Sequence, residues 1–220
     1  MRLTLDWRND DDRPDETLMQ VDSLSVLTIG HSTHTWERFA TLLRDADVTA
    51  VADVRTSPYS RRFPHFNRDE LRENLRQAAV LYVFLGNELG GRPQDPKFYS
   101  NGVADYEKMA KTAAFGRGLG RVIEGAKSYR IALLCSERDP LNCHRCLLVG
   151  RALSENGVRI SHILDRGELM TQADIEDKLL EFYNRGAGDL FLPHADRLAA
   201  AYRARARKVA FAQRPSPTET

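Results

Sequence analysis

Two periodicities of apolar and polar residues run along the chain, and together they predict an α/β fold. Five short apolar runs, rich in Val, Ile and Leu and bounded by polar or glycine-containing segments, have the length and composition of β-strands. Between these runs, apolar residues recur three and four positions apart, as they do on one face of an amphipathic helix. The predicted strands cover residues 25–29, 48–54, 80–85, 130–134 and 158–164.

The alternation of strands with helices predicts how the sheet is built. βαβ units join strands through right-handed crossovers, so the strands run parallel and helices cover both faces of the sheet. The run from Val48 to Val54 is apolar at nearly every position, as expected for a strand that is buried on both faces. We therefore predict an open, mostly parallel five-stranded sheet with helices on both faces, a Rossmann-like three-layer sandwich.

Capping residues predict where several helices begin. Asn67 is followed by a glutamate at the spacing of a capping box, so a helix is expected from about residue 68 to residue 78. Asp105 is expected to cap a further helix, which the closely spaced glycines after Phe115 interrupt. A basic, alanine-rich helix is predicted over residues 196–211.

Charge divides the chain into three parts. Residues 1–22 carry seven acids and three arginines, and this segment is predicted to be an acidic N-terminal extension. Residues 197–214 carry six basic residues and no acid, so residues 187–220 are predicted to be a basic C-terminal helix and tail. The α/β domain itself is expected to cover residues 23–186.

Composition restricts the class of protein. The chain has 220 residues with 42% hydrophobic and 29% charged residues, as expected for a globular domain. No apolar run reaches the roughly 18 residues of a membrane span, and the first twenty residues do not resemble a secretory signal. Three cysteines, an odd number, do not suggest a disulfide framework. These features predict a cytoplasmic protein without a membrane partner.

Polar residues follow the ends of the predicted strands, and these positions are the candidates for catalysis. The carboxyl ends of parallel strands meet at one edge of a sheet, where α/β proteins bind their ligands. The fourth strand leads into an unusual loop that carries thiols, a carboxylate, an imidazole and guanidinium groups between Cys135 and Arg145. The candidate catalytic residues at this edge are His31, Asp53, Glu88, Cys135, Glu137 and His144.

The loop after the second strand is both basic and aromatic. Arg55 and Arg61, together with Arg145 from the cysteine loop, could hold a phosphate, because guanidinium groups bind phosphate oxygens bidentately. Tyr59 and Phe63 alternate with the arginines and could stack on a nucleobase. A solvated basic loop with its aromatic residues packed inwards is the alternative.

The cysteines allow three interpretations. Cys135 next to arginines could be a thiolate nucleophile, or it could be an inert buried thiol. The Cys-x5-Arg signature of phosphatases is absent, since Arg145 lies ten residues after Cys135. Zinc or an iron cluster could be held by Cys135, Cys143, His144 and Cys146, although closed metal sites commonly use two paired motifs and this chain has only one.

The motifs at these strand ends resemble a bacterial and archaeal family of domains of unknown function, DUF488. The resemblance covers roughly residues 26–165 in order, and it implies a compact α/β domain without implying a specific chemistry. Its motifs are Thr28-Ile29-Gly30-His31-Ser32, Asp53-Val54-Arg55 with Pro58 and Ser60-Arg61, Leu89-Gly90-Gly91-Arg92-Pro93, Tyr106 with Met109, Cys135-Ser136-Glu137, and Cys143-His144-Arg145.

Strand-end position and the family motifs together give a candidate substrate-binding set. Its members are Ser32, Arg55, Pro58, Ser60, Arg61, Gly90, Gly91, Arg92, Tyr106, Cys143 and Arg145.

We expect an enzyme that hydrolyses or transfers a group on a phosphate-bearing substrate, either a nucleotide or a nucleic acid. A divalent metal is considered as cofactor, since carboxylates near a phosphate suit metal binding or acid–base chemistry. The glycines around Asn87 match neither the dinucleotide fingerprint nor the P-loop, so those modes of NAD and ATP binding are not expected. A cysteine-based redox or metal-binding protein and a non-catalytic nucleic-acid-binding module are the two alternatives.

Overall fold

The centre of the molecule is a six-stranded sheet in the computed structural model, which describes residues 24–185 and 192–213. The strand order is β3-β2-β6-β1-β7-β8, and every neighbouring pair is parallel except β7 and β8. A separate hairpin pairs β4 with β5. The strands are β1 (Ser25–Gly30), β2 (Ala50–Asp53), β3 (Leu81–Phe84), β4 (Tyr99–Ser100), β5 (Val103–Ala104), β6 (Ile131–Cys135), β7 (Arg159–Ile163) and β8 (Leu169–Thr171).

Helices cover both faces of the sheet. They are α1 (Trp36–Asp45), α2 (Arg68–Gln77), α3 (Gly86–Leu89), α4 (Tyr106–Ala110), α5 (Ala113–Gly125), α6 (Arg151–Glu155), α7 (Gln172–Arg185) and α8 (His194–Val209). A six-residue π-helix, Arg145–Gly150, runs directly into α6. Among the described residues, no helix has the length and apolar character needed to cross a membrane.

Alternation along the strands sends side chains into two separate cores. Leu27 and Ala132 pack on the face covered by α1 and α2, whereas Val26 and Leu133 pack on the face covered by α5 to α8. Helix α1 contributes Phe39 to its core from the apolar stripe that the sequence pattern identified. Both cores are dry layers of aliphatic and aromatic side chains, and they hold the carboxyl ends of the central strands at fixed positions.

The predicted α/β class is confirmed, and the number of strands was wrong. All five predicted strands are present, with limits that differ by one or two residues. The sixth, β8, is a three-residue antiparallel strand at the edge of the sheet, and Leu169 on it is 52% exposed. A strand this short and this exposed leaves no apolar run in the sequence by which it could be recognised.

Local polar contacts changed two of the helix predictions. Asp105 caps α4 as predicted, because its carboxylate accepts the N–H groups of Glu107 and Lys108. This helix ends at Ala110. Thr112 then caps α5, because its hydroxyl accepts the N–H of Phe115 at 3.1 Å. The glycines lie inside α5 and do not interrupt it.

Asn67 precedes α2, but its side chain does not cap that helix. Its Oδ1 accepts the N–H of Ser60 at 2.7 Å and so fixes the loop before α2. The basic C-terminal helix is present as α8, two residues earlier than predicted at each end. The acidic N-terminal extension lies outside the described residues.

Candidate metal centre

The candidate site lies where three central strands end. β6 lies between β1 and β2, and the register pairs Gly30 with Cys135 and Asp53 with Leu134. Beyond the strands, the N–H of His31 donates to Cys135 O at 2.9 Å and the N–H of Ser32 donates to Ser136 O at 2.9 Å. These bonds hold the loop after β1 against the cysteine loop. Parallel pairing therefore brings the predicted strand-end motifs to one edge.

Four side chains of the cysteine loop converge on one point. One ligand atom from each of Cys135, Glu137, Cys143 and His144 lies within 4.8 Å of all the others. Both thiols lie against the same carboxylate oxygen, Glu137 Oε2, at 2.9 Å from Cys135 Sγ and 3.0 Å from Cys143 Sγ. Cys135 Sγ is 3.5 Å from His144 Nδ1. Zinc–ligand bonds of about 2.0–2.3 Å place tetrahedral ligand atoms roughly 3.5 Å apart, so the spacing is close to that of a metal site.

A backbone carbonyl sets the tautomer of His144. Its Nε2 lies 2.9 Å from Val54 O, which only accepts hydrogen bonds, so Nε2 carries the proton. The lone pair of Nδ1 is then directed towards Cys135. Metal-binding histidines generally donate their second ring N–H to a carbonyl or carboxylate in this way.

Arg145 holds the cysteine loop in place from within the core. Its side chain is fully buried. Its Nε donates to Thr28 Oγ1 at 3.3 Å, and its two Nη groups donate to the carbonyl oxygens of Glu137 and Arg138. The sequence predicted this guanidinium as a phosphate ligand; in the structure each of its three nitrogens donates a hydrogen bond to the protein. Its charge lies beside the thiols and favours their thiolate forms.

Two glycines allow the close packing of this site. A Cβ at Gly30 would lie 1.9 Å from Glu137 O, and a Cβ at Gly91 would lie 2.6 Å from the ring of His144. Because no side chain fits at either position, the site requires glycine at both. Close packing against the cysteine loop thus explains why the motifs around Gly30 and Gly91 contain glycine at these positions.

The two thiols differ in their electrostatics. Burial, together with the neighbouring Cys143, raises the pKa of Cys135 well above its ordinary value. Burial would also raise the pKa of Cys143, but the hydrogen bond from Cys135 and the positive charge of Arg145 lower it well below the ordinary value. Burial and the adjacent Cys143 raise the pKa of Glu137. Of the two thiols, Cys143 is therefore the one whose thiolate form is favoured by its surroundings.

A polar cavity of about 230 Å³ opens over the cluster. Its wall includes three of the four residues, Cys135, Glu137 and His144, and Glu137 is the one cluster member that is only partly buried. Beyond the cluster, the lining residues include Arg55, Thr56, Ser57, Gly91, Arg92, Tyr106, Asn142, Val209 and Phe211. The cavity is large enough for a small polar molecule next to the cluster.

Asp53 and Arg55 form a buried pair at the side of this cavity. Arg55 Nε and Nη2 donate to the two carboxylate oxygens of Asp53 at 2.9 and 2.6 Å, and Tyr82 Oη donates to Asp53 Oδ2 at 2.9 Å. The carboxylate of Asp53 is thus used to orient Arg55. Arg55 still borders the cavity, with one flank of its guanidinium held by this pair.

Most remaining predicted residues lie around a second, neighbouring cavity or on the surface. His31 is buried, its ring stacks on Phe66, and burial lowers its pKa to about 4. Ser32 and Ser60 line this second cavity with His31, and Arg61 is exposed nearby on the chain. Glu88 accepts a hydrogen bond from Arg121 at 2.8 Å and lines another cavity with Gly90.

Cys146 and Tyr106 are both buried, but of the two only Tyr106 lines the cavity. Cys146 is fully buried in the apolar core, and it is not a member of the ligand cluster. Tyr106 is buried at the edge of the cavity, and its pKa is raised by burial. Pro58 anchors its loop, since its carbonyl accepts the N–H of Arg68 at 3.0 Å.

Several residues that line the cavity are not among the predicted candidates, for example Thr56, Asn142 and Phe211. Thr56 Oγ1 accepts the N–H of Arg92 at 3.0 Å and ties two loops together. It directly follows Arg55, so its strand-end position was a usable signal. Asn142 and Phe211 also line the cavity. Phe211 lies far from every strand end in sequence, and no pattern in the chain pointed to it.

Comparisons with known proteins agree with the motifs. The model of the family described as Domain of unknown function DUF488 matches residues 35–152, which is more than half of the chain. No curated protein and no solved structure matched the chain. The matched range includes the whole of the Cys135–His144 cluster. The chain therefore belongs to the DUF488 family.

Proposed function

We propose that this protein is a metal-dependent enzyme whose cation is bound by Cys135, Glu137, Cys143 and His144. The observation that carries the proposal is the convergence of these four ligand atoms within 4.8 Å of one another at the wall of a polar cavity. The reaction is hydrolysis or group transfer on a small, phosphate-bearing substrate held in that cavity.

The donor set favours zinc. Two thiolates, one imidazole and one carboxylate combine soft and borderline ligands, which zinc accepts in tetrahedral geometry. The three S and N donors are buried, whereas Glu137 is partly exposed to the cavity. Catalytic zinc sites use three protein ligands and keep the fourth position for water or substrate, so Glu137 is the ligand suited to exchange. When bound, zinc lowers the pKa of a coordinated water and polarises a substrate oxygen.

The surrounding residues balance the charge of such a site. Two thiolates and a carboxylate exceed the charge of zinc by one negative unit, and the buried guanidinium of Arg145 supplies one positive unit. His144 is oriented by Val54 O, and Arg145 fixes the loop at Glu137 O and Arg138 O. Support of this kind from groups behind the ligands is a general requirement of metal sites.

Other residues that line the cavity suit an anionic substrate. Arg92 is exposed there, and Arg55 is aimed by its pair with Asp53. Thr56, Ser57 and Asn142 add hydroxyl and amide groups that can donate hydrogen bonds to phosphate oxygens. Glu137 lines the cavity and has the position of a general base, and burial raises the pKa of its carboxyl group.

The thiols also support a second candidate function, a metal-free dithiol centre. Cys135 and Cys143 lie in one cluster, and Cys143 has a lowered pKa. A lowered pKa makes the thiolate available as a nucleophile or for disulfide formation. This function and the metal centre use the same atoms, so one experiment separates them.

The test is zinc stoichiometry in protein purified without chelators or metal-affinity steps. We expect about one zinc per chain, and intense thiolate-to-metal absorption after replacement by cobalt(II). Cys143→Ala should remove both signals. Cys146→Ala is the matched control, because it removes a buried thiol three residues away that does not belong to the cluster, and it should keep both signals.

Two results would contradict the metal proposal. One is wild-type protein that neither contains zinc nor binds it in a titration; the other is equal zinc content in the two cysteine variants. Alkylation of Cys143 at a pH well below that of an ordinary thiol, in metal-free protein, would then favour the dithiol centre.

A further inference from the structure

A second cavity adjoins the proposed metal site. It has a volume of about 400 Å³ and lies between the loop after β1 and the loop after β2. Arg55 and Ser136 line both this cavity and the one over the metal ligands. The two cavities are therefore neighbours, and Arg55 lies at both of them.

The second cavity presents aromatic rings. Tyr59 and Phe63 line it, and the Tyr59 side chain is 67% exposed. An exposed tyrosine on a cavity wall offers a flat apolar face with a low entropic cost of ordering. Ser32 and Ser60 place hydroxyl groups at the same cavity, so its lining combines ring faces with hydrogen-bonding groups.

The loop that carries these rings is fixed at several points. Its backbone is held by Ser60 N–H donating to Asn67 Oδ1 at 2.7 Å and by Phe63 N–H donating to Ser60 Oγ at 3.1 Å. The ring of Phe63 lies edge-on to His31, with 6.5 Å between centroids. Because the loop is ordered before a ligand arrives, binding to it costs less conformational entropy.

Positive charge accompanies the rings. Arg61 and Arg62 are exposed on the same loop, and the guanidinium of Arg62 lies 5.4 Å from the centre of the Phe63 ring. Rings interleaved with guanidinium groups are the combination that binds nucleobases and phosphates together. A ligand with a phosphate but no ring would leave Tyr59 and Phe63 unused.

We propose that the substrate is a nucleotide, with its phosphate in the cavity over Cys135 and Glu137 and its base against Tyr59 and Phe63. This inference rests on the proposed function and names the substrate class of the same site. The position of Arg55 between the two cavities places a cation next to the phosphate in this arrangement.

The test compares two probes that differ by the base, AMP and ribose 5-phosphate. Their binding to zinc-loaded protein is measured by calorimetry for the wild type, Tyr59→Ala, Tyr59→Phe and the control Tyr129→Ala. Tyr129 is 45% exposed but precedes β6, at the opposite edge of the sheet. Loss of one stacking partner weakens nucleobase binding by about 10-fold.

We expect the wild type to bind AMP at least about 10-fold more tightly than ribose 5-phosphate. Tyr59→Ala should remove most of this difference and leave the affinity for ribose 5-phosphate unchanged. Tyr59→Phe and Tyr129→Ala should resemble the wild type.

Three results would overturn the inference: equal affinity of the wild type for the two probes, no binding of either probe, or no effect of Tyr59→Ala on AMP. Salt-dependent binding of a single-stranded oligonucleotide at much lower concentration than AMP would overturn it in favour of nucleic acid. The zinc measurement is independent of these outcomes. A protein that binds zinc but not AMP keeps the proposed metal function and loses only its substrate class.

Discussion

Arg145 is a fully buried positive charge, and its role in the structure is to fix the cysteine loop by hydrogen bonds. Its donors satisfy Thr28 Oγ1 and two carbonyl groups of the cysteine loop. A buried charge is costly unless hydrogen bonds and nearby opposite charges compensate it. Cys143 and Glu137 supply that compensation, so this residue links the stability of the fold to the state of the cluster.

We expect Arg145→Lys to destabilise the protein although it keeps the charge. A lysine ammonium cannot reach three acceptors arranged around a planar guanidinium. Breaking a buried charged network of this kind costs about 3 kcal/mol, which for a chain of this size lowers Tm by roughly 6–12 °C. Thermal unfolding measures the effect. Arg61→Lys, on an exposed side chain, should change stability by less than about 0.5 kcal/mol.

His162 is a second buried polar residue, and it makes stability depend on pH. Its ring nitrogens contact Thr28 Oγ1 at 2.8 Å and Gln172 Oε1 at 2.9 Å. Burial, and then the charge of Arg145, lower its pKa from 6.5 to about 4. The unfolded chain therefore takes up this proton at a higher pH than the folded chain. The stabilising contribution is complete above pH 6.5 and is lost as the pH falls towards 4.

We expect this group to lower the free energy of unfolding by about 2 kcal/mol between pH 7 and pH 5. Urea unfolding at the two pH values gives the difference for the wild type. His162→Gln lacks the titrating ring, so its difference should be smaller by a similar amount. His194→Gln, which changes an exposed histidine, serves as the control. An unchanged pH dependence in His162→Gln would contradict the prediction.

Close packing of whole elements sets the position of the site. β1 and the loop after β6 approach each other so closely that Gly30 has no room for a side chain. Gly120, on α5, has no atom near its missing Cβ. A side chain is therefore excluded at Gly30 and accommodated at Gly120, and the sequence alone does not show this difference.

Gly30→Ala should displace the cysteine loop. The added Cβ would lie 1.9 Å from Glu137 O, a backbone atom, so the loop has to move. We expect loss of bound zinc and a destabilisation of about 2 kcal/mol, within the range for overpacking. Gly120→Ala is the control and should raise stability by about 0.5–1 kcal/mol, because alanine favours the helix. Zinc content together with thermal unfolding tests both variants, and a Gly30→Ala protein with full zinc would refute the role of this contact.

The elements that the sequence predicted were those with a strong local signal. The five buried strands have apolar runs, and Asp105 has the position of an N-cap, so local rules were sufficient. β8 has three residues at an exposed edge and carries no such run. The π-helix from Arg145 to Gly150 could not be recognised from the sequence, because π- and α-helices share an apolar pattern and differ in their hydrogen bonding.

The candidate site could be predicted only in part, because the sequence shows the position of a residue along the chain but not the direction of its side chain. Its location at the strand ends followed from topology, and three of the four ligands were among the residues considered for a metal. Glu137 was grouped with the catalytic acids, because the sequence did not show that its carboxylate touches both thiols. Cys146 was included for its spacing from Cys143, although burial in the core removes it from the cluster. Side-chain direction depends on tertiary packing, which local spacing does not contain.

At the scale of the molecule, the C-terminal segment closes the cavity from outside the region matched by the family. The family match ends at residue 152, whereas Val209 and Phe211 line the cavity. Ala104 N–H donates to Phe211 O at 2.9 Å, and Gln213 N–H donates to Gly102 O at 2.8 Å. Arg92 also lies over the ring of Phe211, with 5.0 Å to its centre. This segment is therefore a part of the cavity wall that lies outside the matched range.

We expect a chain that ends after Ala210 to fold and to release its metal more readily. The truncation leaves α8 complete and removes the backbone bonds and the ring that close the cavity. The rate of zinc loss to a colorimetric chelator measures access to the site. A chain that ends after Gln213 keeps the wall and is the matched control. Equal rates for the two truncated chains would show that the segment does not limit access.

The proposed ligands also determine when during synthesis the metal site becomes complete. All four lie between Cys135 and His144, and β1, β2, β3 and β6 come before His144 in the chain. A ribosome makes the chain from its N-terminus, so the ligands emerge before β7, β8, α7 and α8 exist. A ligand set this compact also retains affinity for metal in the unfolded chain, which reduces the net stabilisation of the folded one. Metal supply is therefore expected to act on newly made chains and to have less effect on the finished fold.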